Sequence, residues 1–159
     1  MKEKLDYDIR PITVNDYPKL TKWWKLYEDD GIVIPKASLL PEKGLGGFVV
    51  EKDGAVIASA FLYFTNSALG YVDYLIADPS YREDDRRSIL LELAAHVTAV
   101  AVKAGCEIVW ALTSNKKLVN MAEQSGNFII SPVDYRVVYT NDKYHNTTTH
   151  YNKIITTWE

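Results

Sequence analysis

The tripeptide Lys52-Asp53-Gly54 does most to narrow what this chain can fold into. It separates two runs rich in β-branched and aromatic residues, Gly47–Glu51 and Ala55–Phe64. An Asp-Gly pair flanked in this way is a strong short-range signal for a hairpin. Thr65-Asn66-Ser67 turns the chain into a third run, Tyr71–Ala77, which ends at Asp78-Pro79-Ser80. From about Arg87 the pattern becomes helical up to Lys103, with Ile89, Leu90, Leu93, His96, Val97 and Val100 on or beside one face and Gly105 as the stop. Ile108–Leu112 then reads as a short, wholly apolar strand of the kind found at a sheet centre. An antiparallel meander followed by one strand-helix-strand crossover is an α+β arrangement with a single parallel junction.

The flanking segments extend that pattern. Leu5–Ile12 alternates apolar and polar residues as a half-buried first strand does. Thr13 or Asn15 can cap a helix whose first turn tolerates Pro18, and Leu20, Trp23, Trp24 and Tyr27 recur at helical spacing until Asp29-Asp30-Gly31. The proline- and glycine-rich stretch from Gly31 to Gly47 reads as a loop with one short helical turn. Thr113–Ser125 reads as a helix capped near Ser114 or Asn115 and closed by Gly126. Phe128–Ile130 with Arg136–Tyr139 forms a last hairpin, and the tail from Tyr144 an edge strand or ordered extension. The expectation is one α+β domain over residues 1–159, with a mixed, mostly antiparallel central sheet of about seven strands flanked by helices.

Composition removes several classes of function. The 159 residues are 47% hydrophobic and 25% charged, the balance of an ordinary globular protein. The single cysteine, Cys106, cannot form an internal disulfide and reads as a small buried residue. Met1 to Asp6 is charged with no apolar stretch behind it, and the longest apolar run, Ile89–Val102, is broken by Glu92 and His96. A net charge of −3 gives no footprint for nucleic acid. A cytoplasmic protein with no membrane or nucleic-acid partner is expected. His96 reads as a packed or surface residue, and His145 and His150 lack metal-ligand spacing, so no metal site is expected. No G-x-S-x-G elbow supports a Ser-His-Asp triad.

Three segments carry a likeness to a known family. They are Ile9-Arg10-Pro11 opening into a helix, Leu75-Ile76-Ala77-Asp78-Pro79-Ser80-Tyr81-Arg82 leading to Leu90-Leu91, and Asn115 before the helix that ends at Gly126. On these residues the chain resembles the GNAT family of N-acetyltransferases, over about Tyr7 to Tyr139. It also resembles GNAT-like proteins of bacteriophage genomes through Trp23-Trp24-Lys25 and Tyr63-Phe64-Thr65-Asn66-Ser67. The resemblance implies acetyl-CoA as co-substrate and an amine-bearing small molecule or protein as acceptor. It implies a bulge that splays two strands, so that the backbone of Leu75, Ile76 and Ala77 pairs with the pantetheine arm. The pyrophosphate then falls on the next helix start, at Arg82, Arg86, Arg87 and Ser88, and Asn115 is the remaining cofactor contact.

The chain departs from the family pattern at two places. The loop's two glycine positions hold Asp85 and Arg87. Glu83, Asp84 and Asp85 either repel a pyrophosphate or simply give the helix its dipole-compatible first turn, while Arg82, Arg86 and Arg87 can replace backbone donors with guanidinium contacts. At the position where many relatives carry a tyrosine acid stands Ala122. Tyr71, Tyr135 and Tyr139 are candidates by location, of which Tyr139 is taken here with Asp73 as base. On a strand ending at Ala77, residues 71, 73, 75 and 77 share one face, and the apolar neighbours of Asp73 suit a base by desolvation; an edge aspartate or an arginine partner is the alternative. The function implied is acyl-CoA-dependent transfer of an acetyl group to an amine. The rival is a GNAT-shaped binding or structural protein without catalysis. Exposed strands of the last hairpin and tail leave an edge for a homodimer.

Overall fold

Asp53 and Gly54 both take left-handed backbone, with φ of 50° and 78°. A two-residue hairpin of matching twist needs that geometry, and it joins β2 (Gly47–Lys52) to β3 (Ala55–Phe64). The computed structural model describes residues 6–28, 34–113 and 115–131. Within them β1 (Tyr7–Pro11), β4 (Leu69–Ala77) and β5 (Ile108–Ala111) complete one sheet in the order β1-β2-β3-β4-β5. The first three pairings are antiparallel and β4–β5 is parallel. A parallel pair needs a crossover, and helix α2 (Arg86–Lys103) supplies it.

The described residues hold five strands, not about seven. Phe128–Ile130 is apolar but forms no strand. Its expected partner, Arg136–Tyr139, lies outside the described residues, as do Tyr135, His145, His150 and the tail. The reading of residues 108–112 as a central strand is also corrected. β5 is the last strand of the described sheet, with Ile108 and Trp110 more than half exposed. A short apolar run does not reveal by itself whether both of its faces are covered.

The chain divides into two compact units, Met1–Leu20 with Pro35–Ala111, and Thr21–Ile34 with Leu112–Glu159. The sheet and α2 belong to the first. Helix α1 (Tyr17–Leu26) begins in the first and continues in the second, and α3 (Lys116–Ser125) belongs to the second. A 3-10 turn over Val14–Asp16 precedes α1. There Asp16, almost fully buried, accepts from the Thr13 amide at 2.8 Å and from both terminal nitrogens of Arg10 at 2.8 and 2.9 Å. Arg10 Nε donates to Glu51 at 2.8 Å, so β1, β2 and the approach to α1 share one guanidinium. These bonds hold the Asp16 carboxyl below its usual range, chiefly through Arg10. The segment before β2 forms two 3-10 turns, Ala37–Leu39 and Pro41–Gly44.

A hydrophobic core lies between the sheet and α2. Ile89, Leu93, Val97 and Ala101, four residues apart, form one buried stripe of the helix. They cluster with Val50, Ala58, Ala60, Leu62, Val72 and Ala77 of the sheet. Cys106 is buried at the start of the crossover's return, as expected of a small apolar side chain. His96 meets Phe48 edge-on, with ring centroids 5.2 Å apart. Leu93 is fully enclosed, so Leu93→Ala should cost about 3 kcal/mol of unfolding free energy from lost burial plus the cavity. Urea unfolding of the variant beside the wild type measures it.

Candidate functional site

The site grows from an irregularity in β4. Ser59 pairs with Ile76 and Phe61 with Asp73, so two steps along β3 face three along β4. The extra residue is taken up at Tyr74, whose φ of 52° is unusual for an aromatic residue. Two contacts hold it there. The Tyr74 amide donates to Asp73 Oδ1 at 2.7 Å, and its ring stands edge-on to Phe61 at 6.3 Å.

The bulge has two consequences. It reverses the alternation of the strand, so residues 71, 73, 75 and 77 do not share one face. Leu75 and Ala77 join the α2 side of the core, while Tyr71 donates to Asp73 Oδ2 at 3.0 Å on the other face. The ladder between β4 and β5 also ends at Val72 and Ala111, although β4 runs on to Ala77. β5 itself ends at Ala111, so from Asp73 onward β4 continues past its parallel neighbour. Next to it the Tyr63 ring lies 5.8 Å from Tyr71 and its hydroxyl donates to the Leu39 carbonyl at 2.9 Å. Burial pushes the Tyr63 phenol well up from its ordinary value.

Beyond Ala77 the chain is tightly turned. Asp78 Oδ1 accepts from the Ser80 amide and hydroxyl at 2.9 and 2.7 Å, and the Tyr81 amide donates to the Asp78 carbonyl. Arg86 Nη1 donates to the carbonyls of Asp78 and Tyr81, both at 2.8 Å, and so clamps the turn to the first residue of α2. Arg82 and Arg87 are exposed on either side of it. The amides of Arg87 and Ser88 lie in the first turn of α2, where no intrahelical acceptor exists. The Ser88 hydroxyl donates to the Asp85 carbonyl at 2.8 Å.

Asp85 has ordinary right-handed backbone, φ −81° and ψ −3°, so this position does not demand glycine. Its Oδ2 accepts from Lys52 at 2.7 Å and its Oδ1 from the Tyr81 hydroxyl at 2.6 Å. Lys52 also donates to the Tyr81 oxygen at 3.2 Å and pairs with Asp6 at 3.0 Å. Lys52 holds the Asp85 carboxyl below its usual range, and Asp85 holds the Lys52 ammonium above its own. The sequence reading missed Lys52 and Tyr81 as site residues. Tyr81 belongs to the Pro79-Ser80-Tyr81-Arg82 turn, but Lys52 precedes a hairpin turn and only the sheet brings it to the loop.

The expected residues thus fall in separate groups. Asp73 stands at the bulge, Leu75, Ile76 and Ala77 follow it along β4, and Arg82, Arg86, Arg87 and Ser88 gather at the start of α2. In the second unit, Asn115 Oδ1 accepts from the amides of Lys117 and Leu118, both at 3.1 Å, and so caps α3 from one of the two expected capping positions. Tyr139 lies outside the described residues. Among the described residues no His, Cys, Asp and Glu cluster could hold a metal, and no helix is long and apolar enough to cross a membrane.

Comparison with known proteins bears on these features together. The sequence model of the acetyltransferase (GNAT) family matches residues 7–126. An amino-acid acetyltransferase of Azotobacter vinelandii is 32% identical over 108 residues, 67% of this chain and 24% of its own length. The chain therefore spans about a quarter of the length of that curated relative. N-acetylglutamate synthase from Neisseria gonorrhoeae, solved with coenzyme A and N-acetyl-glutamate, superposes with a TM-score of 0.62 at 18% identity, over 96% of this chain and 33% of that one. Rv2747 from Mycobacterium tuberculosis, solved with CoA, gives a TM-score of 0.64 at 18% identity, over 83% of this chain and 76% of its own.

Because Arg86 clamps the turn, Arg86→Ala should lower unfolding free energy by about 1–3 kcal/mol through loss of its charge-assisted contacts to the Asp78 and Tyr81 carbonyls. Amide exchange over residues 81–85 should accelerate more than exchange in the middle of α2.

Proposed function

The chain belongs to the acetyltransferase (GNAT) family, and on that premise we propose that it transfers the acetyl group of acetyl-CoA to an amine. The observation that carries this reading is the bulge at Tyr74 beside the end of the β4–β5 ladder. A strand that continues past its parallel neighbour, immediately before a helix start, can serve the two ends of one cofactor. Its backbone at Leu75 and Ile76 takes the amide-bearing arm by strand addition. The amides of Arg87 and Ser88 take the pyrophosphate, where the helix dipole favours an anion.

The roles of the side chains follow. Arg82 and Arg87 supply guanidinium contacts to the phosphates, and Arg86 keeps the turn in shape through the Asp78 and Tyr81 carbonyls. In the second unit, Asn115 uses Oδ1 as the α3 cap, which leaves its Nδ2 protons as donors. Asp73 accepts the proton that an ammonium must lose before its nitrogen can attack the thioester carbonyl carbon. As the C–S bond breaks, the thiolate sulfur takes a proton from a general acid, for which Tyr139 is the candidate, and the attacking nitrogen gives up its second proton to water, leaving free CoA and the amide. The Tyr71 hydroxyl donates to Asp73 and keeps the carboxylate aimed. The acceptor is an amine of a small molecule or protein; the curated relative named above is an amino-acid acetyltransferase.

Calorimetric titration with acetyl-CoA should give a micromolar Kd, about −8 kcal/mol, and acetyl-CoA should release free thiol when a panel of amines is supplied. No heat and no thermal shift at millimolar CoA would sink the reading in favour of a binding protein without catalysis. Asp73→Asn should lower kcat about a hundredfold or more with little change in CoA affinity. Arg87→Ala should weaken CoA binding about tenfold to a hundredfold, a loss that shrinks as salt rises.

A further inference from the structure

In the family's loop pattern Asp85 stands where glycine is usual, and an unpaired carboxylate at a helix start opposes an anionic ligand. We propose that Lys52 is a positioning residue for the cofactor, which binds Asp85 into a neutral pair so that the two together stand in for the missing glycine. The inference rests on reading the start of α2 as the pyrophosphate site.

Both carboxylate oxygens of Asp85 are engaged, one by Lys52 and one by Tyr81. The three contacts among Lys52, Tyr81 and Asp85 close a triangle, and with Asp6 the ammonium has a partner for each of its three protons. The pair reaches from the end of β2 to the residue before α2, so the hairpin holds the side chain of Asp85 to one side of the loop. Lys52 itself is largely enclosed, with 17% of its side chain exposed against 35% for Asp85. The cation therefore belongs to the fold, and the loop's own arginines are not consumed in neutralising Asp85. A glycine there would leave the loop without repulsion by leaving it without a side chain. The pair reaches the same electrostatic state with a side chain that is tied back.

The proposal makes a non-additive prediction. Lys52→Met exposes an uncompensated carboxylate and should weaken CoA binding about five- to twentyfold at low salt, less at high salt. Asp85→Asn should not weaken it. The double variant should bind CoA within about threefold of wild type, because it removes one charge of each sign and leaves the net charge beside the loop unchanged. Lys52→Arg should remain close to wild type. Pantetheine, which carries no phosphate, should bind all of these alike. Melting temperatures identify any variant that fails to fold, and the Asp85→Asn and double variants keep the test standing if Lys52→Met is destabilised. Asp85→Asn as damaging as Lys52→Met with no recovery in the double variant, or Lys52→Met equal to wild type, overturns the pair's role. Equal losses for pantetheine and CoA do the same. Those outcomes leave the functional reading intact, whereas a wild-type protein that binds no CoA overturns both.

Discussion

β4 carries one residue more than β3 can pair with, and the surplus at Tyr74 organises the rest of the first unit. Because side chains alternate along a strand, one inserted residue exchanges the faces of everything after it. Tyr71 and Asp73 therefore point away from α2, while Leu75 and Ala77 return to its core. Without the insertion Asp73 and Leu75 would lie on one face. A left-handed tyrosine is a strained conformation, costing on the order of 1–3 kcal/mol, and such strain persists only where surrounding contacts over-determine it. Here the Asp73 carboxylate, the Phe61 ring and the β3 ladder do so.

The start of α2 is held by residues that arrive from elsewhere. Arg86 clamps the carbonyls of Asp78 and Tyr81, Asp78 turns the chain through Ser80, and Lys52 ties Asp85 to the end of β2. The loop's amino-acid composition alone suggests a contest between three arginines and three acids. In the fold they do different work: Arg86 and Asp85 build the turn, whereas Arg82 and Arg87 stand exposed. A charge pattern read along a chain counts every ion alike, but only a charge not already paired acts on a ligand.

Much of the architecture was legible where short-range chemistry decides. The Asp53-Gly54 turn, the buried stripe of α2, the Asn115 cap and the left-handed Gly126 at the end of α3 all appear as expected. Each depends on residues within a few positions of one another. The apolar run at Ile108 suggests a central strand, whereas it is the outermost of the described sheet, and Phe128–Ile130 has strand-forming residues but is no strand. Propensity alone does not decide which neighbours a run will have. The candidate site divides in the same way: Asp73 and the arginines could be named from their positions in the chain, while Lys52 could not.

The sequence by itself determined the strand and helix periods, the turns and caps, and the family likeness, because these follow from local backbone sterics and from spacings of two to four residues. Tertiary structure alone decided the register. It placed three β4 steps against two β3 steps, set Asp73 and Leu75 on opposite faces, and brought Lys52 to Asp85 across 33 residues of chain. Register is settled by which long-range arrangement buries the core of α2 and the sheet together, and no local segment contains that information.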